Sequence, residues 1–345
     1  MHLNCLKVSS IAVCLLLFQS LIAQNNFAAV TQLIESRKAV LGQNVVVLVT
    51  GKDSLVYQKE WGDMKMKTVA PVGASSGWLT AALVLQLVDE GKLSLDDKVV
   101  KYLPVFEKYG KNYITLRHCL THLTGIQDRG GKITRLIDRR RYTSLDDQAA
   151  DYASKEIETN PGTAFSYSNM GLVIAGRVLE VVSKKRFDLL IKQKLLTPLG
   201  MRQTSFSTTD GSAPDPAEGA KSTAADYMAF LKMLLNGGKH NGQQLLSEAA
   251  VDQMRTLHAI NLPQNNIPKA ATGKPYAFGA WAVEANNEKA TVLAGPSFTG
   301  TWPAVDFCRG YAMLLFVKER LNEPRAEVYG DLKKLTDSNF PAVCQ

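Results

Sequence analysis

The sequence predicts an α+β fold in which both ends of the chain contribute strands to one antiparallel sheet. Two β-rich runs, 45–49 and 54–58, stand near the start, and the intervening Gly51-Lys52-Asp53 is typical of a hairpin. A helical middle follows, and β-pattern returns at 277–284, 289–293, 301–307 and 311–318. Because the helices are segregated from the strands along the chain, we expect them to pack on an antiparallel sheet as an inserted helical subdomain.

Helices are predicted where apolar residues recur at three- and four-residue spacing. One precedes the hairpin at 27–39, and a long one from Trp78 to Glu90 ends at Gly91, a residue typical of helix C-termini. The other predicted helices are 116–123, 145–157, 169–183, 187–195, 224–235, 248–257 and 323–335. This order places a sheet subdomain at about 24–72 and 270–345 and the helical subdomain at about 73–269.

Composition indicates an ordinary globular chain. Hydrophobic residues make up 46% and charged residues 21% of the 345, which excludes a disordered acidic tail, a collagen-like repeat and a polytopic membrane protein. The formal net charge of +8 is spread along the sequence. The basic run 139–141 has no interleaved aromatic residues, so we expect no nucleic-acid partner.

Residues 1–23 have the pattern of a secretory signal peptide. Lys7 precedes a short apolar run, 9–22, and the small residue Ala23 follows it. We therefore expect a mature domain of residues 24–345 that is periplasmic or secreted, with no stable membrane span after cleavage of the leader. Three cysteines remain in that domain, so at most one disulfide can form within it, and the sequence does not choose the pair: Cys119, Cys308 and Cys344.

Six segments in the same order carry a family resemblance. They are 73–104, 116–126, 161–180, 195–201, 221–238 and 295–307. Together they resemble the serine β-lactamase and penicillin-binding-protein-like family, in particular its class C-related esterases, D-aminopeptidases and D,D-peptidases. The resemblance covers about Phe27 to Lys318 and implies a β-lactamase/transpeptidase-like fold with a cleft between sheet and helices.

The resemblance implies three catalytic motifs. A Ser-x-x-Lys pair at a helix start provides the nucleophile and its base, since free serine is a weak nucleophile. A Tyr-x-Asn loop relays protons, and a strand carries Lys/His-Thr/Ser-Gly against the substrate. Here Tyr167-Ser168-Asn169 matches the second motif, so Tyr167 is the expected catalytic tyrosine and Asn169 an expected ligand-binding residue.

The first motif is degraded. An ungapped alignment places Ala74 at the nucleophile and Gly77 at the lysine, whereas a one-residue deletion after Gly77 would leave Ser75 as the nucleophile. The sequence leaves both alignments open. In either of them the general base is absent, because no lysine stands between Lys67 and Lys92.

The third motif is degraded as well. Phe298-Thr299-Gly300-Thr301 matches the family segment that follows the motif, which puts Gly295 at the position of the cation or imidazole. Pro296 removes a backbone N–H from the strand, and Ser297 replaces the small glycine. Ser297 and Phe298 are the expected ligand-binding residues here.

These departures predict lost or strongly reduced hydrolase activity in a cleft that binds a small peptide-like or acyl ligand, for example one derived from the cell wall. The alternative is an active serine esterase or peptidase that uses Ser75 and Tyr167. A third possibility is a purely structural protein whose cleft is filled by Trp78 and Trp302. No cofactor or metal is expected, since His118, Cys119 and His122 lack a further ligand at a familiar spacing.

Overall fold

The structure is a computed structural model that describes residues 27–128, 142–297, 300–317 and 326–344. Its centre is a six-stranded sheet in the order β2-β1-β12-β11-β10-β9, in which every neighbouring pair is antiparallel. The strands are β1 (Val45–Gly51), β2 (Leu55–Trp61), β3 (Ala70–Pro71), β4 (Phe165–Ser166), β5 (Lys221–Ser222), β6 (Lys239–His240), β7 (Gln243–Gln244), β8 (Gln264–Asn265), β9 (Trp281–Asn286), β10 (Lys289–Ala294), β11 (Trp302–Asp306) and β12 (Tyr311–Val317). Since β1 pairs with β12, both ends of the chain build one sheet, and the predicted α+β class is confirmed. The predicted leader, 1–23, lies outside the described residues.

The helices fall mainly between β2 and β9. They are α1 (Ala28–Ser36), α2 (Lys38–Leu41), α3 (Ser76–Asp89), α4 (Val105–Lys108), α5 (Leu116–Leu120), α6 (Leu145–Ser154), α7 (Met170–Ser183), α8 (Phe187–Ile191), α9 (Ala224–Leu235), α10 (Glu248–Arg255) and α11 (Ala326–Asp337). A 3₁₀ turn at Gly73–Ser75 leads directly into α3. In the part of the chain that the structure describes, no helix has an apolar stretch long enough to cross a bilayer.

The sheet buries both of its faces, which explains why β1 is apolar at nearly every position. Val46 and Leu48 join the cluster formed with the inserted helices, which includes Trp78. Val45 and Val47 point to the opposite side and join the cluster that includes α1 and α11. Burying a valine or leucine side chain contributes about 1.5–3 kcal/mol, so this two-sided burial holds α3 and the sheet together as one layered unit.

The predicted strand 277–284 begins later than expected, at Trp281. The chain first makes a turn in which the N–H of Ala277 donates to the carbonyl oxygen of Ala280, 2.9 Å away. Gly279 has a φ of +79° in this turn, and a Cβ there would lie 2.7 Å from the Cα of Trp78. The β-pattern of 277–280 is therefore overridden by close packing of the turn against the start of α3.

Candidate functional site

The first degraded motif lies where α3 begins, against the end of β10. Ser75 is fully buried, and its hydroxyl donates a hydrogen bond of 2.7 Å to the carbonyl oxygen of Gly295. Ala74, one residue earlier, is partly exposed. The two candidates for the nucleophile position therefore face different surroundings: Ser75 faces the sheet, and Ala74 is accessible to solvent.

Neighbouring groups hold this turn with further buried hydrogen bonds. The hydroxyl of Tyr227 on α9 donates to the carbonyl oxygen of Ser75 at 2.8 Å, and burial raises the pKa of Tyr227, so that the phenol stays protonated. Ser76 donates its hydroxyl to the carbonyl oxygen of Gly73 at 2.6 Å and accepts the N–H of Ala220 at 3.0 Å. Both serines of the turn therefore have structural partners.

The two lysines that precede the first motif most closely in sequence, Lys65 and Lys67, do not bond to Ser75. The ammonium of Lys65 donates to the carbonyl oxygen of Gly62 at 3.3 Å and lies 3.7 Å from the carboxylate of Glu60. Lys67 is exposed. Within the described parts of the chain, no lysine forms a hydrogen bond with Ser75, whose hydroxyl is bound to a carbonyl oxygen.

The lysine position itself is crowded. Gly77 is buried, and a Cβ built on it would lie 2.7 Å from the Cδ1 of Leu172. Leu172 belongs to the first turn of α7, which follows Tyr167-Ser168-Asn169 directly. The first and second motifs are therefore adjacent, and a side chain at position 77 would require the tip of the Leu172 side chain to move away.

The third motif forms the connection between β10 and β11. The N–H of Gly295 donates to the carbonyl oxygen of Pro303 at 3.0 Å, which extends the ladder one residue beyond β10. Ser297 is buried, and its N–H donates to the carbonyl oxygen of Thr301 at 3.1 Å. Phe298, the other expected ligand-binding residue of this motif, lies outside the described residues.

Trp78 closes the space beside Gly295. A Cβ on Gly295 would lie 3.5 Å from Cε3 of Trp78 and 3.7 Å from the Ser75 hydroxyl, so the position of the family's cation faces both residues. The indole is fully buried and meets the ring of Phe230 edge to face at 5.8 Å. Its Nε1 is buried and has no hydrogen-bond partner among the described residues.

Trp302 does not fill the cleft. Its ring packs against that of Tyr329 of α11, with the centroids 4.1 Å apart and the planes tilted by 30°, and it belongs to the apolar cluster on the opposite side of the sheet from Trp78. The hydroxyl of Tyr329 donates to the carbonyl oxygen of Gly300 at 3.0 Å. Helix α11 therefore contacts the third motif from the face of the sheet opposite to α3. The suggestion that Trp302 fills the cleft is wrong.

The second motif is held in an aromatic cluster. Tyr167 is half-buried, with its ring centroid 4.6 Å from that of His122 and 5.4 Å from that of Trp281. Asn169 immediately precedes α7, is half-buried, and does not cap the helix with its side chain. Tyr167 and Asn169 thus stand at the start of the helix whose first turn meets Gly77.

His122 contacts the second motif, although the sequence suggested it only as a metal-ligand candidate that lacks a further ligand. Its Nδ1 accepts the backbone N–H of Ser168 at 3.4 Å, which ties it to the second motif. Burial lowers the pKa of His122 to about 3, so the imidazole is neutral near pH 7 and holds the loop as a hydrogen-bond acceptor. The φ of His122 is +56°, in the left-handed region and not the helical one, and the spacing of residues in the sequence does not reveal this conformation.

His118 has a different role from His122. Its Nδ1 accepts the N–H of Thr115 at 3.3 Å while the Thr115 hydroxyl accepts the N–H of His118, which makes a capping box at the start of α5. Among the described residues, no three His, Cys, Asp or Glu side chains are grouped as metal ligands.

Comparisons with known proteins identify the family of the chain. The sequence model of the family described as Beta-lactamase matches residues 30–337. Penicillin-binding protein 4 of Amycolatopsis lactamdurans is 30% identical over 237 residues, which cover 59% of this chain and 60% of that protein. The chain thus matches about three fifths of that relative's length.

Solved structures share the fold over nearly the whole chain. A crystal structure titled "putative beta-lactamase" from Bacteroides dorei DSM 17855 superposes with a TM-score of 0.80 and 25% identity, covering 90% of this chain and 99% of that one. EstCE1, titled a hydrolase with promiscuous acyltransferase activity, has a TM-score of 0.74 and 18% identity, with coverages of 92% and 99%. At 18% identity the second likeness concerns the fold alone.

Proposed function

Because this chain belongs to the Beta-lactamase family, whose model it matches over residues 30–337, we propose that it is an exported serine-hydrolase-fold protein that has lost most or all hydrolase activity and binds a peptide-like or acyl ligand. The observation that carries the proposal is the buried hydrogen bond from Ser75 to Gly295. It supports the ungapped alignment, in which Ala74 stands at the nucleophile position and Ser75 is a structural residue.

The chemistry of acyl transfer supports the loss of activity. A serine must be exposed to the substrate and must give its proton to a base, yet Ser75 is fully buried and its proton points to a carbonyl oxygen. Ala74 offers only a methyl group. Removing the nucleophile or base of a serine hydrolase typically costs on the order of 10⁴–10⁶-fold in rate.

The alternative, an esterase or peptidase that uses Ser75 and Tyr167, requires more than a proton relay. The Ser75 hydroxyl would have to leave Gly295 and rotate out of a site where it has no exposed surface. The buried hydrogen bond would be broken without a replacement, which costs about 1–3 kcal/mol in addition to the chemical barrier. The geometry therefore favours the inactive protein.

Covalent labelling separates these two functions. The purified chain is incubated with a fluorescent penicillin and, separately, with a fluorophosphonate, and then digested for mass spectrometry. We expect no adduct on Ser75. An adduct on Ser75 that disappears in Ser75→Ala would overturn the proposed loss of activity and establish the esterase or peptidase.

Ligand binding is supported by what remains of the second motif. Tyr167 and Asn169 are both half-buried, so each keeps some surface, and each carries a polar group of the type that fixes the orientation of a peptide. The aromatic neighbours of Tyr167 would provide apolar contacts of the kind that line small-molecule sites. We therefore propose that the ligand is an acylated peptide, with a cell-wall peptide as the first case to test.

Binding is measured by calorimetry with an N-acetylated peptide that ends in D-Ala-D-Ala, and the same peptide with L-Ala-L-Ala serves as control. We expect binding of the D-peptide only. Tyr167→Phe keeps the ring and removes the hydroxyl, so it should weaken binding about 2- to 10-fold, the value of one hydrogen bond. Absence of binding at millimolar D-peptide would contradict this ligand class.

Export completes the proposal and is tested separately. Cleavage of residues 1–23 would leave a mature protein in the periplasm or the medium, with no stable membrane span. Mass spectrometry of the protein from cell fractions should give an N-terminus close to residue 24. Recovery of the uncleaved chain from the membrane fraction would contradict it.

A further inference from the structure

The C-terminal tail returns to the sheet at a cysteine. Cys308 lies in the turn between β11 and β12, and the tail that follows α11 runs alongside it. The N–H of Val343 donates to the carbonyl oxygen of Cys308 at 3.1 Å, and the N–H of Cys344 donates to the Sγ of Cys308 at 3.0 Å. These contacts bring the two cysteines to neighbouring positions although they are 36 residues apart in sequence.

The thiol groups themselves interact. A hydrogen bond with the Cys308 thiol is the main cause that raises the pKa of Cys344. The guanidinium of Arg255, which lies 4.3 Å from the centre of the Phe307 ring, interacts electrostatically with both sulfurs. Cys344 is exposed and Cys308 is largely buried, whereas Cys119 is fully buried elsewhere in the core.

We propose that Cys308 and Cys344 form a disulfide bond that fastens the C-terminal tail to the sheet. Both thiols are free in the structure, and the 3.0 Å contact of the Cys344 backbone nitrogen with the Cys308 sulfur keeps the two residues close enough for side-chain rotation to bring their sulfurs to bonding distance. The exposed Cys344 gives an oxidant access to the pair. Of the three cysteines expected in the mature domain, Cys119 is thereby left as the free, buried thiol.

The oxidant is a disulfide of the surrounding compartment, either a small-molecule disulfide or a protein thiol–disulfide oxidoreductase. The thiolate of Cys344 attacks one sulfur of that disulfide, forms a mixed disulfide and releases one thiol. The thiolate of Cys308 then attacks the Sγ of Cys344 and releases the second thiol. Two protein thiols are oxidised and one external disulfide is reduced to two thiols, so atoms and electrons balance.

The closed loop contains α11, whose Tyr329 supports the third motif through Gly300. Cross-linking a loop stabilises a protein mainly by restricting its unfolded state. The bond therefore acts on the stability of α11 and the sheet, and it does not depend on any activity in the cleft. An exported protein would meet the oxidising conditions in which such bonds persist.

Peptide mapping tests the proposal on the full chain. The protein is equilibrated with oxidised and reduced glutathione, alkylated under native conditions and digested with trypsin without reduction. We expect a cross-link between the peptides 290–309 and 335–345, with a mass lower by two hydrogens than the sum of the two. Cys119 should be alkylated only after denaturation. Alkylation of both Cys308 and Cys344, or a cross-link between two copies of the chain, would overturn the proposal.

Thermal unfolding gives a second readout. The oxidised protein should melt several degrees above the reduced protein, and in Cys344→Ser the two conditions should give the same midpoint. Because the pKa of Cys344 is raised, its oxidation by glutathione should accelerate as the pH increases above neutrality. A redox-dependent midpoint that persists in Cys344→Ser would assign the effect to another thiol and contradict the bond.

Discussion

The hydroxyl of Ser75 donates a hydrogen bond of 2.7 Å to the carbonyl oxygen of Gly295, which lies 220 residues later in the chain. The bond joins the first catalytic motif of the family to the third. In an active serine hydrolase of this fold, a serine hydroxyl at the start of this helix would be the nucleophile that attacks the substrate. Here the hydroxyl of the buried Ser75 instead helps to hold α3 against the end of β10. The residue before it, Ala74, is partly exposed and has no hydroxyl.

This hydrogen bond predicts the behaviour of Ser75→Ala. The variant leaves the Gly295 carbonyl buried without its donor, so the free energy of unfolding should fall by about 1–3 kcal/mol. Urea denaturation followed by circular dichroism measures the change. Ser54→Ala, at an exposed position, is the control and should stay within about 0.5 kcal/mol of the parent. An unchanged stability in Ser75→Ala would show that the bond is not formed in solution.

Restoring the lysine should displace the side chain of Leu172. A Cβ at position 77 would lie 2.7 Å from the Leu172 Cδ1 and position 77 is buried, so moving Leu172 and burying the lysine in Gly77→Lys should together destabilise the protein by about 1–3 kcal/mol. Adding Leu172→Ala removes the obstacle, and its cost should be smaller in the Gly77→Lys background than in the parent. A double-mutant cycle from urea denaturation should therefore give a coupling of at least about 0.5 kcal/mol.

Gly330→Ala is the matched control for that series. It lies in α11 with open space around it, so the gain in helix propensity should stabilise the protein by about 0.5–1 kcal/mol.

Once Leu172→Ala has opened the space beside position 77, the combination of Ala74→Ser, Gly77→Lys and Leu172→Ala should permit penicillin labelling at position 74, read by mass spectrometry. Equal stability of Gly77→Lys and the parent would contradict the predicted cost of placing a lysine at this buried position.

His122 predicts a dependence of stability on pH. Burial lowers its pKa to about 3, compared with an ordinary value of 6.5 in the unfolded chain. Between these values the unfolded state binds a proton that the folded state does not, so stability is fully present above pH 6.5 and falls as the pH decreases toward 3. The slope from this one group approaches about 1.4 kcal/mol per pH unit.

The measurement compares urea denaturation from pH 7.5 to pH 4.5 in the parent and in His122→Asn. Asparagine tolerates the positive φ of this position and does not titrate, so the variant should lose part of the slope. His240→Asn, at a half-exposed residue, should lose less of it. Identical slopes in the parent and His122→Asn would mean that the buried imidazole is not the group responsible.

The ammonium of Lys333 lies among three carboxylates, so its removal should change the stability of the protein. This residue of α11 is nearly buried, and its ammonium lies 3.1 Å from Asp306, 2.8 Å from Glu284 and 2.8 Å from Asp337. Burial disfavours the ammonium, but hydrogen bonds with Asp337 and Glu284 outweigh it and raise the pKa of Lys333. The cation therefore compensates carboxylates on three different elements.

Lys333→Met should lower the free energy of unfolding by about 1–3 kcal/mol, because Asp306 loses one of its two cationic partners while Arg309 stays 3.3 Å away. Lys334→Met, the exposed next residue of the same helix, should change stability by no more than about 0.5 kcal/mol. Thermal and urea unfolding of the two variants provide the comparison. Similar stabilities for both would show that the buried ion cluster contributes little.

Some helices and strands could be predicted from the sequence with their limits, whereas for others the limits differ in the structure. Strands β1 and β2 follow from their β-rich runs and the turn between them, and α9 was predicted with its observed limits, Ala224–Leu235. The predicted helix 187–195 instead ends as α8 at Ile191 and continues into a π-helical turn, Lys192–Leu196. Local propensity fixes the type of an element, whereas contacts with the rest of the chain set where it ends.

The order of residues alone determined three features of the site. No lysine stands between Lys67 and Lys92, the Tyr167-Ser168-Asn169 motif is intact, and Gly295 departs from the third motif. Only the tertiary structure decided that Ser75 faces a carbonyl oxygen, that Leu172 occupies the space beside Gly77, and that Cys344 lies against Cys308. The physical reason is that each of these relationships joins segments far apart in sequence. Their distances depend on how α3, α7 and the sheet pack together, and no local pattern of residues contains that information.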